Sequence, residues 1–203
     1  IVGYYKLDYL KKRVVQKKNK KKPQNILIAP TDYNSFPKMS LIKKSESLIV
    51  EILKKTNLRI TFRPHPSNYN EKKIIFLKNK FYKNKRVIFD ESKNYFDTYI
   101  NSKLMISDLS GTAYTYSFLT NKPVVFFSNY EKDLYKLKYD NLNFFKDRNK
   151  IGFVVKDIKN LINILKKNFS FKIKSKTILK KLTVNFDIGS SKKNFDQFIK
   201  EVL

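Results

Sequence analysis

The sequence has no cysteine, no tryptophan, one histidine, four glycines and six prolines among 203 residues. Without cysteine there is neither a disulfide framework nor a thiolate metal site, and a reducing compartment is compatible with that. One histidine and few carboxylates leave little to build a metal centre from, so no metal and no cofactor are expected. The glycine-dependent signatures are missing too: there is no GxGxxG for a dinucleotide, no GxxxxGK[ST] for a P-loop and no GxSxG elbow. No apolar run approaches the roughly 18 residues of a membrane span, and the first residues lack the apolar stretch of a signal peptide. The expectation is a soluble or peripheral protein. The chain opens on Ile1 rather than Met, which fits a fragment.

What is abundant is positive charge, 44 Lys+Arg against 17 Asp+Glu, for a formal net charge of +27. Such a field attracts polyanions: nucleic acid, an anionic membrane or a nucleotide-linked substrate. No nucleic-acid-binding motif accompanies the charge, so nucleic acid is not expected as a partner. Lys, Asn, Ile, Phe and Tyr are all frequent, and compositional drift explains basic residues spread over every surface; an anionic membrane surface is the alternative.

The apolar segments are short and alternate with helical patterns. Asn25–Pro30, Leu58–Phe62, Arg86–Phe89, Leu104–Ser107, Val124–Phe127 and Gly152–Val155 read as buried strands. Between them, helices are expected over Leu41–Thr56, with Ser45 capping its second half; over Glu71–Tyr82, with Ile74, Ile75 and Phe81 inward; over Tyr95–Asn101, Ala113–Leu119 and Lys132–Tyr139. Asp157 caps a further helix carrying Ile158, Leu161, Ile162 and Leu165. A last helix, capped by Ser190 or Ser191, carries Phe195, Phe198, Ile199 and Val202. Phe62, Phe76, Phe89, Phe118 and Phe126 are assigned to the core, and Tyr114 and Tyr116 to the core before base stacking. Residues 1–10 read as the end of a strand and Lys11–Gln24 as a solvated basic arm. The fold class is α/β: a Rossmann-like parallel sheet of about six strands with helices on both faces. Right-handed crossovers then bring Thr31, His65, Asp90, Ser107 and Ser128 to one edge.

Two loops on that edge carry the candidate chemistry. Ser107-Asp108-Leu109-Ser110-Gly111-Thr112 is the hydroxyl-rich glycine turn between a strand and a helix, the place where open α/β sheets bind ligands and where a helix N-terminus favours phosphate. Ordinary helix capping by Ser110 or Asp108 is the competing reading. Asp108 would repel an inward phosphate, which favours a supporting role. His65 stands between Pro64 and Pro66, which hold the backbone extended. It is a candidate phosphate donor or acid/base group, against a histidine that merely packs. Arg63 is placed for a bidentate phosphate contact. A Ser110–His65–Asp90 triad can be drawn, but no spacing supports it.

In order and spacing these segments resemble the C-terminal half of the CDP-glycerol glycerophosphotransferase family, the teichoic-acid-type enzymes, and related GT-B capsule-polymer transferases. Gly3-Tyr4-Tyr5-Lys6-Leu7-Asp8 looks like G-x-P-[RK]-x-D, Ile26 to Thr31 like I-L-Y-A-P-T, and Arg63-Pro64-His65-Pro66 like [KR]-x-H-P. Ser107 to Ser110 with Lys122 to Phe127 looks like [ST]-D-[YL]-S followed by G-K-P-x-x-F-[FY], and Phe186 to Leu203 like the closing helix. The resemblance implies residues 1–24 as the end of an N-terminal domain and a linker, and residues 25–203 as a domain binding a nucleotide-diphospho donor. It implies His65, Ser107 and Ser110 along the donor's pyrophosphate; taken with the loop reading, His65 is the catalytic candidate, Thr31, Arg63, Gly111 and Thr112 join the donor phosphates, and Pro66 and Asp108 give support. The implied partners are a polymer or lipid-linked acceptor and the protein's own N-terminal GT-B domain, in the cytoplasm or peripheral on the membrane's inner face. Three departures stand out: Tyr5 for Pro, Asp32-Tyr33 for an aromatic-Arg pair, and no acidic residue near Thr115.

Overall fold

The computed structural model of the protein describes residues 5–16, 25–136, 138 and 142–167. Six parallel strands form one sheet: β1 (Asn25–Ala29), β2 (Arg59–Phe62), β3 (Val87–Phe89), β4 (Ser102–Ser107), β5 (Val124–Phe127) and β6 (Gly152–Val155), in the order β3-β2-β1-β4-β5-β6. Around it lie α1 (Tyr5–Gln16), α2 (Ser45–Lys55), α3 (Lys72–Phe81), α4 (Phe96–Ile100), α5 (Thr112–Thr120), α6 (Glu131–Lys136), α7 (Asn143–Lys146), α8 (Arg148–Ile151) and α9 (Ile158–Lys166). This is the Rossmann-like sheet expected from the sequence.

Period-two alternation sorts β1, β4 and β5 between two cores, while β2 and β3 feed only one, Ile88 on the far face being half exposed. Ile26, Ile28, Ile60, Phe62, Leu104, Ile106 and Val125 face α2, α3 and α9. Leu27, Ala29, Met105, Val124 and Phe126 face α1, α4 and α5. Burial on both faces is why the strands read as unbroken apolar runs, each large side chain contributing about 1.5–3 kcal/mol.

Helix ends follow local chemistry. Asp157 caps α9, its carboxylate accepting from the Asn160 N–H at 2.8 Å. α5 stops at Asn121, whose φ of 55° is left-handed, a conformation asparagine tolerates. Ser45 is not a cap: its hydroxyl donates to the Leu41 carbonyl at 3.0 Å, and Ser40 caps the 3-10 turn Leu41–Lys44 that leads into α2.

Three further expectations are corrected. Residues 5–16 are helical, neither strand nor arm. Leu10 is buried and Val14 packs beside it in the core that contains Tyr116, while the Arg13 guanidinium lies over the Phe96 ring at 4.4 Å. α1 thus packs on the same core as α4 and α5. On α3, Ile74, Leu77 and Phe81 point inward, leaving Ile75 and Phe76 half exposed rather than in the core. α7 and α8 were not anticipated. The two tyrosines lie where expected: Tyr116 is fully buried and Tyr114 is wedged against Phe118, Phe126 and Phe144, so both are packing residues. The expected last helix and its serine caps lie outside the described residues.

Gly152 opens β6 against β5 so closely that a Cβ would stand 1.7 Å from the Val124 carbonyl oxygen, whereas a Cβ on Gly111 would meet nothing within 4 Å. Gly152→Ala is therefore expected to destabilise the fold by about 1–3 kcal/mol, seen as a lower urea midpoint. Gly111→Ala, in helical backbone with φ −59°, should leave the stability unchanged or raise it by up to about 1 kcal/mol, seen as an unchanged or higher midpoint.

Candidate functional site

All strands are parallel, so the loops after β1, β2, β3, β4 and β5 emerge on one edge. Strand order reverses between β1 and β4, the crevice where such sheets take ligands. β2 and β4 flank β1, two interstrand spacings apart, so their loops open about 10 Å from each other.

Two carboxylates knit these loops together. Asp108, just after β4, is fully buried and accepts from the N–H groups of Thr31 at 2.8 Å, Leu41 at 2.6 Å and Leu109 at 2.7 Å. It therefore ties its own turn to the β1 loop, in a supporting position. Burial pushes its carboxyl up to about 6, although the three N–H donors pull the other way. Asp32 ties the β1 loop to the β2 loop. It accepts from Ser35 Oγ at 2.6 Å, Ser67 Oγ at 2.7 Å, Asn68 Nδ2 at 2.9 Å and the Asn34 N–H at 3.2 Å. The Ser35 hydroxyl, followed by that of Ser67 and the Asn68 amide, holds this carboxyl well below the usual carboxylate range. Asn68, fully buried, accepts in turn from the Tyr33 N–H at 2.9 Å.

Two expected phosphate ligands are claimed by the fold instead. Ser107 is completely buried and donates to the Ala29 carbonyl at 2.7 Å, a brace between β4 and β1. Arg63 donates to Asp90 Oδ2 at 2.7 Å, Ser92 Oγ at 3.2 Å and the Ser92 carbonyl at 2.7 Å, with both charged side chains only 12% exposed. The hydroxyl satisfies a buried carbonyl that would otherwise cost free energy, and the guanidinium a partly buried carboxylate. Asp90 is committed to Arg63, Ser92 and Thr98, which removes the drawn triad.

Other expected groups remain open. His65 is solvent-exposed in extended backbone (φ −61°, ψ 141°); its Nδ1 lies 2.7 Å from Ser67 Oγ, and among the described residues Nε2 has no partner. The Ser110 hydroxyl makes no hydrogen bond among the described residues, and the Ser110, Gly111 and Thr112 N–H groups donate to none of them. α5 has no side-chain cap, so neither Ser110 nor Asp108 serves as one. Thr112 Oγ1 is hydrogen-bonded to the Tyr99 hydroxyl, and Thr31, mostly buried, donates its N–H to Asp108. Pro66 begins the 3-10 turn Pro66–Asn68 that carries Ser67 and Asn68 back to Asp32. The resulting edge presents a hydroxyl and three consecutive N–H groups, donors suited to anionic oxygens, and an imidazole nitrogen that joins them when the ring is protonated.

Asp32, Ser67 and Asn68 were not anticipated; the one sequence signal was that Asp32 departs from the family pattern. Also unforeseen is a buried Arg148, bidentate to Glu131 at 2.8 and 2.9 Å beside β5. Nothing in the residue spacing announces that pair.

Asp108→Ala would strip three N–H groups of their acceptor, at about 1–3 kcal/mol for each one left unsatisfied, measurable by urea denaturation. The wild-type carboxyl should titrate near 6 by carbon-13 NMR. Its folded value lies above the ordinary carboxylate value, so the fold binds this proton more tightly than the unfolded chain does. Its contribution to stability is therefore greatest in acid and declines as pH rises from about 4 to about 6.

The chain is 30% identical over 132 residues to the minor teichoic acid biosynthesis protein GgaB of Bacillus subtilis (strain 168), covering 65% of this chain and 13% of that protein. In structure it is similar to the UDP-GlcNAc 2-epimerase of Methanocaldococcus jannaschii (TM-score 0.57, 18% identity, 91% of this chain and 55% of that one), which is also known in complex with UDP-GlcNAc and UDP. It is similar to much the same degree to the wall teichoic acid polymerase TagF (TM-score 0.56, 17% identity, 97% of this chain and 46% of that one). The chain thus spans about half the length of these structures and a small part of GgaB. The family model of the CDP-glycerol:poly(glycerophosphate) glycerophosphotransferases matches residues 3–200, and the chain belongs to that family.

Proposed function

We propose that this chain is the donor-binding half of a GT-B transferase. It would move glycerol phosphate, or a sugar, from a nucleotide-diphospho donor onto a teichoic-acid-type or capsular polymer. The observation that carries the reading is the set of unpartnered groups on one edge: the donors Ser110 Oγ and the N–H groups of Ser110, Gly111 and Thr112, with His65 Nε2 joining them as a donor when the ring is protonated. The open space over Gly111 lets a diphosphate approach that backbone. Family membership and the nucleotide held by the structurally similar epimerase support a nucleotide donor, and CDP-glycerol is the leading one.

In the glycerol phosphate case the acceptor hydroxyl oxygen attacks the phosphorus that bears glycerol. A new P–O bond forms as the bond to the bridging oxygen breaks, and CMP leaves with the electron pair. The acceptor's proton passes to a base outside this chain, on a facing domain that holds the acceptor. The groups of the edge are placed to stabilise the charge that builds on the departing phosphate; His65, protonated, could also deliver a proton to it. Arg63 and Ser107 take no part beyond holding the strands. The net charge of +27 suits work on a lipid-linked acceptor at an anionic membrane face on the cytoplasmic side, and among the described residues no helix is long and apolar enough to cross a membrane.

Calorimetric titration with CDP-glycerol, CMP, UDP-sugars and GDP-sugars tests the reading. At least one nucleotide is expected to bind, and His65→Ala and Ser110→Ala should each weaken it about 10- to 100-fold, as for a lost hydrogen bond to a charged group. Absence of binding by every nucleotide at millimolar concentration would sink the proposal.

A further inference from the structure

His65 does not stand alone. Its Nδ1 lies 2.7 Å from Ser67 Oγ, and that same oxygen lies 2.7 Å from Asp32 Oδ1. A serine hydroxyl has one proton, so it can donate to only one of these two neighbours. Asp32 is an ionised carboxylate, which accepts and cannot donate; its contact with Ser67 requires the serine proton. The contact between Ser67 and His65 then requires a proton from the ring. A rival donor to Nδ1 exists, the Ser67 N–H, but at 3.4 Å it is too long to compete with a 2.7 Å contact. The carboxylate is itself held in place by Ser35 Oγ, Asn68 Nδ2 and the Asn34 N–H.

We infer that Asp32 is a positioning residue for His65: acting through the Ser67 hydroxyl, it fixes the imidazole with its proton on Nδ1 and leaves Nε2 as the one ring nitrogen open to a ligand. The neutral ring then shows a lone pair at the open edge and the protonated ring shows an N–H there. A single atom both gains and delivers the proton, and its direction is set by a chain of two hydrogen bonds. The link to catalysis rests on the reading of His65 as a donor-phosphate group; the tautomer itself does not.

The sequence contains one histidine, so the ring nitrogens of the full chain give an unambiguous nitrogen-15 NMR spectrum. At about pH 8.5, some two units above the ordinary histidine value, the wild-type ring should show a pyrrole-type Nδ1 and a pyridine-type Nε2. Asp32→Ala frees the serine proton for Nδ1 and should invert the pattern. Ser67→Ala cuts the chain and should move the ring toward the Nε2–H form that free imidazole prefers. Asp32→Asn keeps an acceptor oxygen and should keep the wild-type tautomer, which separates loss of the hydrogen-bond chain from collapse of the loop. A wild-type ring already protonated at Nε2, or a tautomer unmoved by both alanine variants, overturns the inference. Adding CDP-glycerol to the wild type then probes the donor reading separately, through the Nε2 signal, and its outcome leaves the role of Asp32 unaffected.

Discussion

The structure depends on a problem that every parallel sheet must solve at its carboxyl edge. The strands pair along their length, but the loops leaving them carry backbone N–H groups with no ladder to join. Here two aspartates meet that demand. Asp108 takes three N–H groups from the β1 loop and its own turn, and Asp32 takes hydroxyl, amide and N–H donors from the β1 and β2 loops. Because Asp108 reaches into the β1 loop, while Asp32 and Asn68 tie that same loop to β2, the loops of β2, β1 and β4 form one connected piece. The positions of His65 and of the α5 N-terminus relative to each other follow from those two side chains.

This arrangement also decides the electrostatics of the edge. Carboxylates are few in a chain of 44 basic residues, and apart from Asp32, which stays partly exposed beside Ser67, the ones near the site are turned to structural partners. Asp108 faces backbone N–H groups, Asp90 faces Arg63 and Thr98, and Glu131 faces Arg148. Each negative charge is committed to a structural partner, which leaves the open edge rich in donors. The buried Asp108 carboxylate can sit within a phosphate-favouring turn because backbone N–H groups of the β1 loop and of Leu109 hold both its oxygens.

The fold was largely legible in the sequence. Six short apolar runs with helical patterns between them leave few arrangements other than a parallel sheet, and Asp157 and Asn121 mark helix ends by chemistry that needs no tertiary context. Where expectation and structure part, the cause is tertiary. In α1, lysines and arginines mask Leu10 and Val14, and only the presence of Phe96 and Tyr116 opposite makes that face bury. On α3, the unbroken run Ile74 to Leu77 fits two helical registers equally, and packing against the sheet chose Ile74 and Leu77. The site shows the same limit. Loop order alone placed His65, Ser110 and Gly111 on the edge, but it could not show that Ala29 claims Ser107 and Asp90 claims Arg63. A residue type states what a side chain can donate; which acceptor wins it depends on neighbours dozens of positions away.

That distinction separates unsatisfied groups from scaffold at this edge. Ser107 and Ser110 are three residues apart and chemically identical, yet one is sealed between strands and the other has no partner among the described residues. Arg63 and His65 are two apart and both basic, yet one is a brace between β2 and the β3 loop and the other faces solvent. In each pair the member closer to the strand is claimed by a structural acceptor, the buried Ala29 carbonyl for Ser107 and the partly buried Asp90 carboxylate for Arg63. The member further out escapes that demand, while the carboxylate ties behind it keep its backbone from drifting. Groups held rigidly yet left unsatisfied are what a preorganised anion site requires, and in this chain they occur where the strand order reverses.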